Sequence, residues 1–333
     1  MMLKLVAEWE SPHMSVSSSA ELDAETRLAE TIRRACVLEA SAAKPGNVHP
    51  RAAFPDLTFE DFVRSAEAIA PVLARVKNLG VGRAIYEATA ATRAVVTTNT
   101  NLGIVLLLAP MAAVPCRKVE PRPLGSALFD DRGPLPDGRG SQSQTLTCCE
   151  EIGDVLSRLT RDDAAWVYRA IRLAQPGGLG KSASEDVADE PTGTLLEVMT
   201  LAAERDGIAA QYASGFAWVL KEGVPFLASV GNQFAPHWEA AIIELQLRLL
   251  AEHPDTLIAR KCGWDVAAEA SRRASICLRE LVQLPLESNR RAERLTEFDH
   301  WLRADGHRRN PGTTADLVAA CLFAALREGL IRH

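Results

Sequence analysis

The chain has 333 residues, 47% of them hydrophobic, enough for a sizeable core in one large domain or two ordinary ones. Lysine and arginine number 37 against 43 acids, so the net charge is −6; composition excludes a basic surface for nucleic acid, and any phosphate site must be local. The seven cysteines show no C-x-x-C pair and no zinc-finger spacing, which excludes a disulfide framework and a structural zinc and fits a reducing, cytoplasmic setting.

In chain order, residues 1–19 read as an irregular N-terminus in which Met14 offers a second start, with no signal segment. From 20 to 330 the pattern is that of an all-α, single multi-helix globular domain. Leu28, Ile32, Ala35 and Cys36 fall at i, i+4, i+7 and i+8, which predicts an amphipathic helix over 25–40. Thr58 and Thr160 each stand three residues ahead of an acid, Asp61 and Asp163, and predict capping-box starts for two more helices. Helical periodicity recurs over about 80–96, 102–114, 192–222, 234–252, 265–282, 287–303 and 313–330, and no strand-like alternation of useful length appears. The apolar run Leu102–Ala109 is too short to span a bilayer, so no membrane association is expected. Residues 117–147 hold Pro121, Pro123, Gly125, Gly133, Pro134, Pro136, Gly138 and Gly140 among few apolar side chains; they read as a low-complexity insertion, looped or disordered.

Five polar segments interrupt the helices. Lys44-Pro45-Gly46-Asn47-Val48-His49-Pro50 follows the first helix as a rigid, donor-rich turn. Glu39, just before it, lies with the apolar face near a helix C-terminus, where a carboxylate is costly unless compensated. It is a candidate site residue, or it reaches solvent, or it pairs with Lys44. Thr97-Thr98-Asn99-Thr100-Asn101-Leu102-Gly103 opens an apolar helix with Asn101 or Thr100 as N-cap, and the free amides there suit either a phosphate or simple capping. Gln175-Pro176-Gly177-Gly178-Leu179-Gly180-Lys181-Ser182 ends like a P-loop but lacks its first glycine and follows a helix, so that reading fails. The acidic cluster Glu185, Asp186, Asp189 and Glu190 behind it is a candidate for Mg²⁺, or a solvated loop. Pro254-Asp255-Thr256-Leu257-Ile258-Ala259-Arg260-Lys261 and Arg309-Asn310-Pro311-Gly312-Thr313-Thr314-Ala315-Asp316 complete the set, and in the last Thr313 and Asp316 predict another capping box.

Taken in order, these segments resemble the signature of the triphosphoribosyl-dephospho-CoA synthase family. Its members share P-K-P-G-L-V-D, D-M-D, N-T-H-K-G, D-T-N-L-L-H-R-G-G and S-P-G-G-S-A-D-L. Here the chain reads K-P-G-N-V-H, Asp56-Leu57-Thr58, N-T-N-L-G, D-T-L-I-A-R-K-C-G and N-P-G-T-T-A-D-L, a resemblance running from Ala20 to Glu328. It implies an all-α transferase that takes ATP, releases adenine and joins the 5-triphosphoribosyl group to the 2′-hydroxyl of dephospho-CoA. Mg²⁺ is the expected cofactor and small molecules the expected partners. Such chemistry needs a carboxylate beside a developing oxocarbenium, a base for the hydroxyl and cations on the triphosphate. Under this resemblance Glu39, Asp56 and His49 are the catalytic candidates. Lys44, Gly46, Asn47, Asn99, Thr100, Asn101, Gly103, Arg260, Lys261, Asn310, Gly312 and Thr313 are the nucleotide- and phosphate-binding candidates, and Asp186, Asp189 and Asp255 the metal candidates.

The departures bear on the acceptor. His49 stands where the family pattern has Asp, Asn101 and Leu102 replace His and Lys, and Ala259-Arg260-Lys261-Cys262 approximates L-H-R-G. The variant motifs look like a divergent branch, associated with archaea and with bacteria that use tetrahydromethanopterin, so the acceptor stays open; ATP or another phosphoribosyl donor is the safer expectation, because its phosphates need only loops, helix ends and Mg²⁺. A Mg²⁺-dependent ribosyl hydrolase, a ribosyl transfer in tetrahydromethanopterin-type cofactor biosynthesis and a non-catalytic nucleotide-binding helical protein are the alternatives.

Overall fold

The computed structural model describes residues 19–115, 147–176 and 185–332, all helices and connecting turns. The irregular N-terminus, all of the 117–147 insertion except Thr147, and most of the glycine loop after Pro176 lie outside the described residues. The helices are α1 (Ser19–Ser41), α2 (Phe59–Ala74), α3 (Val76–Leu79), α4 (Val81–Val95), α5 (Leu102–Ala113), α6 (Thr147–Ser157), α7 (Arg161–Ala174), α8 (Leu195–Ala202) and α9 (Gly207–Ser214). A π-helical turn (Trp218–Gly223) leads into α10 (Val224–Val230), and a 3₁₀ turn (Gly231–Gln233) into α11 (Phe234–Glu252). The chain ends with α12 (Thr256–Cys262), α13 (Trp264–Leu281), α14 (Asn289–Arg303) and α15 (Gly312–Arg327).

The expected boundaries hold where local chemistry fixes them. The predicted capping boxes at Thr58 and Thr160 are formed, each threonine hydroxyl accepting from an aspartate amide whose carboxylate accepts in return. The expected continuous helix over 192–222 is broken. Thr194 starts α8 with its own capping box to Glu197, Asp206 Oδ1 accepts from the amides of Ile208 and Ala209 to begin α9, and Gly215 ends α9 in the left-handed region at φ 65°. An apolar periodicity runs through these residues without reporting the caps that divide it. The capping box expected of Thr313 and Asp316 does not form either. Pro311 occupies the N-cap of α15, and the Thr313 hydroxyl instead meets that of Thr256 at 3.1 Å.

Two helices are apolar nearly all round and form the centre. Ile104 to Ala112 of α5 and Leu317 to Ala325 of α15 are buried side by side, as a helix with no polar face must be. Around them α1 packs on α2 and α15, α2 on α4, and α4 on α7. A smaller cluster under α11, α13 and α14, with Leu247, Leu250, Ala270 and Leu302, adjoins the first across α11. No helix among the described residues is long and apolar enough to cross a membrane.

Candidate active site

The packing brings the polar ends of several helices to one cavity of about 510 Å³. Its wall includes the starts of α5, α9, α12 and α15 through Leu102–Ile104, Ile208, Leu257, and Gly312, Thr313, Ala315 and Asp316, and the C-terminal turn of α1 through Glu39. Asp206 and Asp255 already occupy amides at the starts of α9 and α12, so the positive macrodipole ends of α5 and α15 are the ones that attract an anion such as a polyphosphate. The starts of α5 and α15 carry no hydrogen bond from an N-cap side chain.

Most of the residues expected from sequence meet here: Glu39, Asn47, Asp56, Asn99, Thr100, Asn101, Arg260, Lys261, Asn310 and Thr313 line the cavity, with Gly103 and Gly312 between them. Their local bonds show what holds each. Asn47 Nδ2 donates to Asn310 Oδ1 at 2.7 Å and its Oδ1 accepts from Gln246 Nε2 at 2.8 Å, which ties the Lys44–His49 turn to the approach of α15 and to α11. Thr100 and Ser65 share a hydroxyl contact at 2.6 Å, and Asn99 Oδ1, rather than Asn101 or Thr100, accepts from the Leu102 amide. Asn101 Oδ1 accepts from Thr92, while Asn101 Nδ2 and Arg260 Nε are buried donors without a partner among the described residues. Buried donors are normally satisfied, so these two, on residues lining the cavity, are places for a ligand's acceptor atoms.

Glu39 is 3% exposed and forms an ion pair of 2.9 Å with Lys44, whose side chain is fully enclosed and also donates to the Glu39 carbonyl. Lys44 thus compensates the carboxylate from behind and does not itself line the cavity. Gly46 is likewise structural. It sits at φ 78°, a Cβ there would lie 2.8 Å from Leu302 and Pro311, and its amide donates to Asp299. His49 lies outside the cavity, its Nδ1 accepting from the Arg51 amide at 3.3 Å; burial, with the Arg303 and Arg51 cations, lowers its pKa.

The metal candidates do not converge. Asp255 Oδ1 accepts from the Leu257 and Ile258 amides and its Oδ2 from the amide and hydroxyl of Thr314, so this buried carboxylate caps α12 and ties it to α15. Its oxygens are committed inside the protein. Asp189 is exposed and lines neither this cavity nor the chamber beside it, and Asp186 lines that second chamber and accepts from the Ala188 amide. Among the described residues the group of side chains spaced for a metal is Glu222, Glu252 and His253, none of which lines the cavity. Asp255→Ala is expected to destabilise the fold by about 2–4 kcal/mol, a lost cap plus an orphaned buried amide. Denaturant unfolding measures it, and an unchanged Mg²⁺ dependence of any remaining turnover separates this role from ligation.

Four titratable cavity residues escaped the sequence reading as site residues. Asp206 caps α9 and pairs with Arg260, Arg93 donates to the Thr97 carbonyl, and His307 Nδ1 lies 3.3 Å from Asp56 Oδ1 with its ring edge-on to Phe54. The fourth is Asp316. Burial first, then the negative charges of Glu39, Asp255 and Asp206, hold its carboxyl well above the usual range, against a smaller opposing effect of Arg260. Gly103 makes room for it: a Cβ there would stand 2.0 Å from Asp316 Oδ2. Lys261, half-exposed on the same wall, has its pKa lowered mainly by burial.

The arrangement therefore pairs a compensated carboxylate and a crowded one with cations, helix starts and two unpaired donors. A family model described as ATP:dephospho-CoA triphosphoribosyl transferase matches residues 25–332. No curated protein matches the chain. The chain is similar to a crystal structure from Archaeoglobus fulgidus that is provisionally assigned as a triphosphoribosyl-dephospho-CoA synthase. The two share 25% sequence identity and a TM-score of 0.55, over 80% of this chain and 98% of that one. Glu39, the paired asparagines and Asp316 thus sit within the matched span, and the chain belongs to the ATP:dephospho-CoA triphosphoribosyl transferase family of pentosyltransferases.

Proposed function

We propose that this protein transfers the 5-triphosphoribosyl group of ATP to the 2′-hydroxyl of dephospho-CoA and releases adenine. The observation that carries this reading is the meeting, in one cavity, of helix starts suited to phosphates with the unequal carboxylates Glu39 and Asp316. The triphosphate lies toward the starts of α5 and α15, where Asn101 Nδ2 and the Arg93, Arg260 and Lys261 cations supply donors and charge. The C1′–N9 bond breaks with its electron pair leaving on adenine, which takes up a proton, and the acceptor oxygen forms the new C1′–O bond. Glu39, paired with Lys44, faces the developing positive charge. Asp316 accepts the proton that the acceptor hydroxyl loses; its raised affinity for a proton suits a general base.

Mg²⁺ belongs to the same reading as the counter-ion of the triphosphate. The crowding of Glu39, Asp206 and Asp316 that raises the Asp316 pKa is the feature a dication fits. Glu39 would face it, with phosphate oxygens and water completing its shell. When bound it neutralises charge on the phosphates.

The test is to incubate the protein with ATP, Mg²⁺ and dephospho-CoA and to follow free adenine and the mass of the acceptor. Adenine in equal amount to a triphosphoribosylated acceptor is the expected result. Adenine with no modified acceptor would move the assignment to hydrolysis, and neither product, with no nucleotide bound, to a non-catalytic protein.

A further inference from the structure

A second chamber of about 350 Å³ adjoins the first, and the two share Leu106, Ile171, Asp206, Ile208 and Arg260 in their walls. Its character is different. Val167, Leu195, Val198, Met199, Ala202 and Ala209, from α7, α8 and α9, give it a mainly aliphatic lining. Its volume falls within the roughly 300–1,000 Å³ typical of small-molecule sites. Nothing in the donor chemistry uses it.

The geometry points to this chamber as the seat of the acceptor's pantetheine arm, an inference that rests on the proposed transfer to dephospho-CoA. The alternative occupants fit worse. The chamber wall sets the carboxylates of Glu185, Asp186 and Asp206 against two cations, Arg205 and Arg260, which is no excess of positive charge for a polyphosphate. A purine needs partners for its ring nitrogens and amino group, and the polar groups here are committed: the Tyr168 hydroxyl donates to the Glu185 carbonyl at 2.9 Å, and Asp206 is taken by two amides and Arg260. An aliphatic arm with a dimethyl-substituted carbon asks mainly for apolar contact. Arg260 stands where the chambers meet, paired to Asp206 through one nitrogen while its Nε has no partner among the described residues. The diphosphate that joins the arm to the adenosine of the acceptor has its charge complement at that junction. The adenosine 2′-hydroxyl then falls on the side of Asp316, with the arm extending away from the donor.

Steady-state kinetics of the full chain test this with ATP as donor and two acceptors, dephospho-CoA and ADP, which has the same nucleoside and diphosphate without the arm. Ala202, half-buried at the end of α8, lines the aliphatic chamber and not the donor cavity. Ala202→Leu is expected to raise KM for dephospho-CoA about tenfold, the scale of a few methylenes in an apolar pocket, and to leave KM for ATP and the use of ADP unchanged. Free pantetheine is expected to compete with dephospho-CoA and not with ATP. Val198→Ala, which enlarges the chamber, serves if the first variant folds poorly, and is also expected to raise KM for dephospho-CoA alone. A rise in KM for ATP, or an equal effect on ADP and dephospho-CoA, would overturn the assignment. If the wild type forms no adenine with any acceptor the transfer reading itself fails. Calorimetry then decides the chamber: tighter binding of dephospho-CoA than of ADP, weakened by Ala202→Leu, upholds it, and equal binding of the two sinks it.

Discussion

Glu39→Gln is expected to lose about 3–5 kcal/mol of folding free energy, the scale for removing one partner of a buried ion pair, together with its turnover. The cause is the Lys44 ammonium, which has no exposure to water and meets the Glu39 carboxylate at 2.9 Å. Glutamine keeps the shape but not the charge, and the ammonium is left beside a neutral amide and the Glu39 carbonyl. Loss of activity in this variant alone would not distinguish catalysis from folding. The double variant Glu39→Gln/Lys44→Met does, because removing both charges and filling the space with an apolar chain is near neutral for stability. Its unfolding midpoint should return close to that of the wild type while turnover stays lost. Recovery of turnover in the double variant would show that Glu39 serves the fold and not the reaction.

Asp316 is expected to behave in the opposite way. Asp316→Asn should raise the melting temperature at neutral pH and lower kcat by roughly 10²–10⁴, the usual scale for a positioned general base. The stability sign follows from its titration. The folded-state pKa is raised above that of the unfolded chain, so the native state holds its proton more tightly. Stability from this group is present below the ordinary carboxylate range and is lost as pH rises through the raised folded value. Asparagine never ionises and escapes that loss, so the advantage of the variant should vanish in acid. In the wild type kcat should fall on acidification at a pH above the ordinary carboxylate range, where Asp316 takes up its proton. A variant no more stable than wild type at neutral pH would contradict the crowding of this carboxylate.

Gly103→Ala offers a second route to the same group. The new Cβ would lie 2.0 Å from Asp316 Oδ2, so the carboxylate must swing away, while the end of a side chain yields without moving backbone. Alanine in place of glycine favours the helix by up to about 1 kcal/mol. The variant is thus expected to fold at least as well as the wild type and to lose turnover by tenfold or more. A cavity whose function depends on a destabilised acid is relieved, not damaged, by its neutralisation, which is the stability–activity opposition seen where charge is kept for chemistry.

Much of this molecule is legible in the order of its residues. The helical periods of 25–40, 102–114 and 313–330, and the capping pairs Thr58/Asp61 and Thr160/Asp163, act over one to a few turns, and each stands within a residue or a few of where it was expected, apart from the earlier start of α1. The polar turns at Lys44–Asn47, Asn99–Gly103 and Asn310–Thr313 are likewise local features, and most of their residues reach the cavity because a polar turn between buried helices has nowhere else to satisfy its groups. Tertiary structure decided what each acid does. Asp255 and Asp206 cap the starts of α12 and α9, and Asp316 lies one turn into α15. Asp255 is saturated by four bonds across two helices, Asp206 is joined to Arg260, and Asp316 faces other carboxylates over a glycine. A carboxylate's role depends on the charges and amides that enclose it, and those arrive from segments far apart in the chain, so no spacing rule within one segment could have separated the saturated cap from the crowded acid.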